Sequence, residues 1–83
     1  LAAVMDGSDP QRFLDEARTE KRLHEALSSL EARYRDAMVL RFLEERSYED
    51  IADILGIPMG TVATLINRGK KKLRQAYDAL VRE

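Results

Sequence analysis

The stretch SYEDIADILGIPMGTVATLINRGKKK, Ser47 to Lys72, spells a short capped helix, a three-residue turn and a second helix that ends in a burst of positive charge. Ser47 suits the N-cap, and Asp50, three residues on, suits the reciprocal position of a capping box. Ile51, Ala52, Ile54 and Leu55 are the expected buried face of that helix. Gly56 then stops it, because a helix terminus calls for the left-handed conformation that glycine adopts without penalty. Ile57 packs back, and Pro58, which has no amide to continue a ladder, suits the opening of the next helix. The pattern is a helix-turn-helix, and two helices joined by so short a turn can seat the second in the major groove of DNA.

Outward from this unit, the N-terminal half also reads as helix. Residues 1–8 lack a sustained period and read as a linker or disordered end. Asp9-Pro10 has the form of an N-cap followed by proline at the first helical position, and Phe13, Leu14, Ala17, Leu23, Ala26, Leu27 and Leu30 follow at helical spacing, broken by the polar stretch Arg18 to Arg22; one helix is expected over about 10–28. Ser28-Ser29 marks a break. A second helix is expected over about 31–44, with Tyr34, Ala37, Met38, Leu40, Phe42 and Leu43 inward, a third over 48–55 and a fourth over 59–81. Along the fourth, Val62, Ile66, Gly69, Leu73, Tyr77 and Leu80 recur every three or four residues as an inward seam. At about 100° per residue, Gly60, Thr64, Asn67 and Lys71 then lie on the outward side, flanked by Ala63 and Arg68. The expected fold is all-α, a compact four-helix domain over 9–83 containing the helix-turn-helix.

Composition sets the bounds. Eighty-three residues with 45% apolar and 35% charged side chains, four Gly and two Pro fit one small helical domain, of a size that buries roughly 60% of the unfolded chain's surface. The absence of Cys rules out disulfides and thiolate metal sites. His24 has no second imidazole to share a metal, so neither a metal nor another cofactor is expected. The apolar runs are too short for a membrane span and nothing resembles a signal peptide, which makes the cytoplasm the expected compartment. A chain that begins at Leu1 reads as a piece of a longer protein.

The net charge of −1 conceals a polarity: residues 1–57 carry 8 Lys/Arg against 13 Asp/Glu, whereas residues 58–83 carry 6 against 2. Arg68, Lys70, Lys71, Lys72 and Arg74 fall within seven residues that contain no acid. Phosphate binding depends on such local density rather than on the overall isoelectric point. Catalysis finds no support, because the carboxylates are scattered along helix faces, and Gly56 and Gly60 do not have the spacing of a nucleotide-binding loop.

From Tyr34-Arg35 to Leu40-Arg41-Phe42, then Ser47-Tyr48-Glu49-Asp50-Ile51-Ala52, then Leu55-Gly56-Ile57-Pro58 with Gly60-Thr61-Val62, the chain resembles region 4 of the extracytoplasmic-function (ECF) sigma factors of bacterial RNA polymerase. The likeness runs from about Leu23 to Leu73. It implies a cytoplasmic transcription-initiation domain that binds the minus-35 promoter element, docks on the flap of the RNA polymerase beta subunit and is held by an anti-sigma factor. One departure matters. Where the family commonly has Gly-Thr-Val-Lys-Ser-Arg-Leu, this chain has Gly60-Thr61-Val62-Ala63-Thr64-Leu65-Ile66. Arginine-to-guanine pairing is thereby lost at Ala63 and Leu65, although Ala63, Thr64 or Leu65 could still touch thymine methyl groups.

The candidate DNA-binding residues are Ser47, Tyr48, Gly60, Thr61, Ala63, Thr64, Asn67, Arg68 and Lys71. Gly60, Thr61, Ala63, Thr64 and Asn67 are expected at base edges, with the Asn67 amide suited to adenine. Arg68 and Lys71 are expected on phosphates. Ser47 and Tyr48 stand at a helix start, where free amides favour an anion, although Ser47 acting only as a cap is the stronger reading. Arg41 could reach the DNA backbone or pair with Glu45, four residues on. Two other functions fit the same helices: a protein-interaction module bound chiefly by an anti-sigma factor, and a stand-alone dimeric helix-turn-helix regulator recognising palindromic half-sites.

Overall fold

The computed structural model describes residues 12, 14 and 20–82. It contains α1 (Lys21–Ser28), α2 (Ala32–Met38), α3 (Tyr48–Leu55) and α4 (Met59–Val81), and no strand is present among the described residues. The linker expected at 1–8 and the cap expected at Asp9 lie outside the described residues. Arg12 and Leu14 are helical, but a single helix over 10–28 is not formed. Glu20 is extended (φ −77°, ψ 138°) and α1 starts afresh at Lys21. At this break the fold makes a contact across its length: the Tyr77 hydroxyl, 57 residues away, donates to the Glu20 carboxylate. Burial and this bond to an acceptor anion raise the Tyr77 pKa to about 12.

At the other end of α1, Ser29 stops the helix as its spacing suggests, its hydroxyl donating to the Ala26 carbonyl at 2.7 Å. After α2 the backbone widens into a π-helical turn, Val39–Leu43. Glu44 N–H donates to the Val39 carbonyl and Arg46 N–H to that of Leu40. Between them Glu45 takes the left-handed conformation, φ 56°, which a non-glycine residue adopts only at a cost.

The 23 residues of α4 span about 34 Å, against a longest dimension of 37 Å, so this helix is the spine of the domain. Its inward seam is as expected: Val62, Ile66 and Leu73 are fully buried and Gly69 is buried with them. Against it pack Leu23, Ala26 and Leu27 of α1, Tyr34, Ala37 and Met38 of α2, and Ile51 of α3, and Leu14, Leu30 and Leu65 are buried as well. Gly69 lets α2 come close, since a Cβ there would lie 2.9 Å from both Cγ and Sδ of Met38.

Ile54 departs from expectation: it is 53% exposed instead of buried. Relative to fully buried Ile51, Leu55 falls about 40° to one side and Ile54 about 60° to the other. The half-buried positions Ala52 and Leu55 are on the Leu55 side, so the packed face is shifted away from Ile54.

Candidate nucleic-acid interface

Local chemistry sets the turn that aims α4. The Ser47 hydroxyl accepts from Asp50 N–H at 3.0 Å, capping α3. Gly56 takes φ 68°, ψ 38°, and the Ala52 carbonyl accepts from both the Gly56 and Ile57 N–H groups, the bonding expected of a glycine-terminated helix. Pro58 is extended and stands one residue before α4 as its N-cap, with its carbonyl accepting from Thr61 and Val62 N–H at 3.0 and 3.1 Å. These contacts fix where the first turn of α4 begins and which side it shows to solvent.

That side carries most of the expected residues. Gly60, Thr61, Thr64, Asn67, Arg68 and Lys71 are exposed, and Ala63 is half-buried at the margin of the stripe. Leu65 is not part of it. At 8% exposure it faces the interior, beside Leu55, Ile57, Arg33 and Asp36, so its contact with a thymine methyl is withdrawn. The Thr64 hydroxyl donates back to the Gly60 carbonyl at 3.1 Å. Asn67, at the centre of the stripe, makes no side-chain hydrogen bond among the described residues, so its amide is available to a partner.

The five clustered cations divide by the face each occupies. Arg74 grips Asp78 through Nε at 3.1 and 3.2 Å, four residues on in α4. Lys70 holds its ammonium 5.5 Å from the centre of the Phe42 ring, and Lys72 lies 5.2 Å from that of Tyr34, which Arg33 also covers at 4.7 Å. These rings attract a cation through their electron-rich faces. Arg68 and Lys71 remain on the outward stripe, without an ion pair among the described residues. The cations not engaged by a ring or a carboxylate, Arg68 and Lys71, sit one to two turns beyond Ala63 and Thr64, whereas Lys70 and Lys72 keep their charge over the rings they cover.

At the start of α3, Ser47 is exposed and engaged as a cap, and Glu49 and Asp50 occupy the first turn, where they oppose a phosphate. Tyr48 is half-buried under Arg41, whose guanidinium lies 5.3 Å over its ring. Arg41 also donates to the Arg46 carbonyl at 3.0 Å, so this guanidinium braces the loop into α3. The arginine–tyrosine stack carries no sequence signature, since its partners are seven residues apart across an irregular turn.

A second surface is a groove of about 320 Å³ between α2, its π turn and α3, lined by Arg35, Asp36, Val39, Leu40, Glu44, Ile54 and Leu55. Its lining is mainly apolar and includes exposed Ile54, with charged side chains around it. Sequence reading missed this surface because it assigned Ile54 to the core. Among the described residues no three potential metal ligands converge, and no helix is long and apolar enough to cross a membrane.

Comparison with known proteins bears on both surfaces. The family described as sigma-70, region 4 matches residues 20–73, from Glu20 at the head of α1 to Leu73 in α4. The chain is similar to the RNA polymerase sigma-H factor of Pseudomonas aeruginosa, 35% identical over 81 residues that make up 98% of this chain and 42% of that protein. It is 35% identical over 72 residues to the ECF RNA polymerase sigma factor SigW of Bacillus subtilis, 87% of this chain and 38% of the relative. It is 39% identical over 66 residues to the ECF RNA polymerase sigma factor SigE of Mycolicibacterium smegmatis, 80% of this chain and 26% of the relative. The chain thus spans less than half the length of each. No solved structure matches it.

Proposed function

Since the chain belongs to the sigma-70 region 4 family, of the ECF type, we propose that it recognises promoter DNA in transcription initiation by laying the outward stripe of α4 in the major groove of the minus-35 element. One observation carries this reading. Thr64, Asn67, Arg68 and Lys71 share an exposed face, while Val62 and Ile66 behind them are fully buried. A rigid helix is thereby presented with polar and cationic groups outward, as groove insertion requires.

In this assignment Gly60, Thr61, Ala63, Thr64 and Asn67 lie toward base edges, and Arg68 and Lys71 hold phosphates on either side. Tyr48 is the further phosphate candidate at the head of α3, where the Arg41 guanidinium over its ring offsets the Glu49 and Asp50 carboxylates of the first turn. Ser47 acts there by holding the helix start in place. The function is one of binding, without catalysis.

Two phosphate contacts give modest affinity, in the range of about 10⁻⁴–10⁻⁶ M for the domain alone. Tethering to polymerase raises the effective concentration. The apolar groove containing Ile54 is suited to an amphipathic helix, and we assign it to the flap of the beta subunit in a cytoplasmic complex. An anti-sigma factor competing for the same groove would release the domain from polymerase.

The test is the salt dependence of binding to promoter duplex. Replacing Arg68 and Lys71 with Ala should make the slope of log K against log salt shallower by about 2. An unchanged slope would refute the placement of these side chains on DNA.

A further inference from the structure

We infer that the reading end of α4 selects thymine-bearing A·T steps through methyl contacts made by Ala63 and Thr64, with Asn67 on the neighbouring adenine. The inference rests on the promoter-reading assignment above and names the bases that the surface prefers.

Three features of the stripe lead to it. First, its reading half has no cation: from Met59 to Asn67 the side chains are Met, Gly, Thr, Val, Ala, Thr, Leu, Ile and Asn. The strongest contact to guanine, a bidentate pair from Arg or Lys to O6 and N7, therefore cannot be made in that segment. The nearest candidate, Arg68, begins the next turn and is used for the backbone.

Second, the Thr64 hydroxyl stands 3.1 Å from the Gly60 carbonyl, placed to donate to it. An exposed threonine would ordinarily offer its hydroxyl as a donor to O4 of thymine or to O6 and N7 of guanine. With that proton turned back along the helix, Thr64 meets a base with its γ-methyl and its oxygen lone pairs. Ala63 adds a second methyl at the adjoining margin, and Gly60 presents no side chain between them and the groove. Leu65, the remaining apolar candidate, is interior. Ala63 and Thr64 thus meet the groove chiefly with methyl groups, while Thr61 keeps an exposed hydroxyl one turn before Thr64; the feature of the major groove that complements those methyls is the 5-methyl of thymine.

Third, Asn67 lies four residues after Ala63 and three after Thr64, so the three side chains fall within one turn on one side of the helix. Its amide is exposed, without an internal hydrogen-bond partner among the described residues. It can offer both a donor and an acceptor, the pair that adenine N7 and N6 requires. Methyl contact on thymine and amide contact on adenine together specify A·T steps.

The test uses this 83-residue chain, duplexes selected from a random pool at low salt, and replacement of each thymine in the selected site by deoxyuridine. That change removes one methyl and leaves pairing intact. Loss of one buried methyl-sized contact should weaken binding about fourfold at one or two positions. Thr64→Ser deletes the γ-methyl while keeping the hydroxyl, and Ala63→Gly deletes the β-methyl; retained helical signal and melting confirm that each variant is folded. Each deoxyuridine-sensitive position should become insensitive in one of these variants.

Salt-dependent binding that tolerates deoxyuridine everywhere overturns the inference and leaves the promoter-reading assignment standing. So does sensitivity that persists unchanged in both variants. Absence of salt-dependent DNA binding, or a slope unmoved by loss of Arg68 and Lys71, overturns that assignment and the inference with it.

Discussion

Gly69→Ala should destabilise the domain, although it replaces a poor helix former with the best one. In an exposed helix interior the same change gains roughly 1 kcal/mol. Here the added Cβ would stand 2.9 Å from both Cγ and Sδ of Met38, whereas carbon atoms pack comfortably at about 3.5–4.0 Å. Met38 can give way only toward the void of about 10 Å³ that it lines with Leu23, Leu27, Phe42, Leu43 and Leu73. It is 1% exposed, and Tyr34, whose Cβ is 3.9 Å from the same point, flanks the position. Overpacking of this kind costs about 1–3 kcal/mol, so the net expectation is a loss of about 0–2 kcal/mol, centred near 1. At this chain length that corresponds to a fall in Tm of about 4–8 °C.

Thermal and urea unfolding followed by circular dichroism measure the loss, with Gly60→Ala as the control. Gly60 lies in the same helix, and a Cβ there meets nothing within 4 Å, so its replacement should be neutral or stabilising. In a Met38→Ala background, itself less stable, the effect of Gly69→Ala should reverse in sign. A Gly69→Ala chain stabilised by the full propensity gain would show that α2 and α4 are not in the close contact from which the loss was worked.

Gly56→Ala should cost about 1–2 kcal/mol from backbone conformation alone, because no atom crowds its Cβ at φ 68°; Gly56→Asn should cost less, and equal melting of all three chains would refute the left-handed cap. The phenol of Tyr77, ordinarily near 10.0, ionises at about 12 in the folded domain. The folded state therefore holds this proton more tightly than the unfolded chain, so the contribution is complete below pH 10 and is lost as pH rises to about 12; Tyr77→Phe should abolish that part of the alkaline decline in urea melts. Ile54→Asp, at a 53% exposed position, should change stability by no more than about 0.5 kcal/mol and yet prevent co-purification with the beta flap, whereas undiminished capture would remove Ile54 from the docking surface.

Much of the helix-turn-helix was legible because its signals are local. The Ser47 cap, the Gly56 stop and the seam through Val62, Ile66 and Leu73 each depend on residues within a few positions, and all are in place. Ile54 misled because an eight-residue helix can rotate its packed face by a few tens of degrees, roughly a third of the 100° between neighbouring residues, without changing its apolar count. The break at Glu20 falls within the polar stretch Arg18 to Arg22, and its bond to Tyr77 joins it to a partner that local periodicity cannot supply. The turn at Glu45 is left-handed without glycine or asparagine to announce it. In the basic run, sequence reading counted Arg74 with the other cations and passed over Asp78 four residues on, whereas the seats of Lys70 over Phe42 and Lys72 over Tyr34 require two helices to have packed. Composition counts charges; only the folded surface shows which of them are spoken for.

The bond from Tyr77 to Glu20 also determines how the domain is hitched to the chain before it. Thirteen residues of helix separate Tyr77 from Thr64, about 20 Å along the axis. Glu20 is thereby moored at the rear of the spine, about four turns of rigid helix from the exposed stripe at its front.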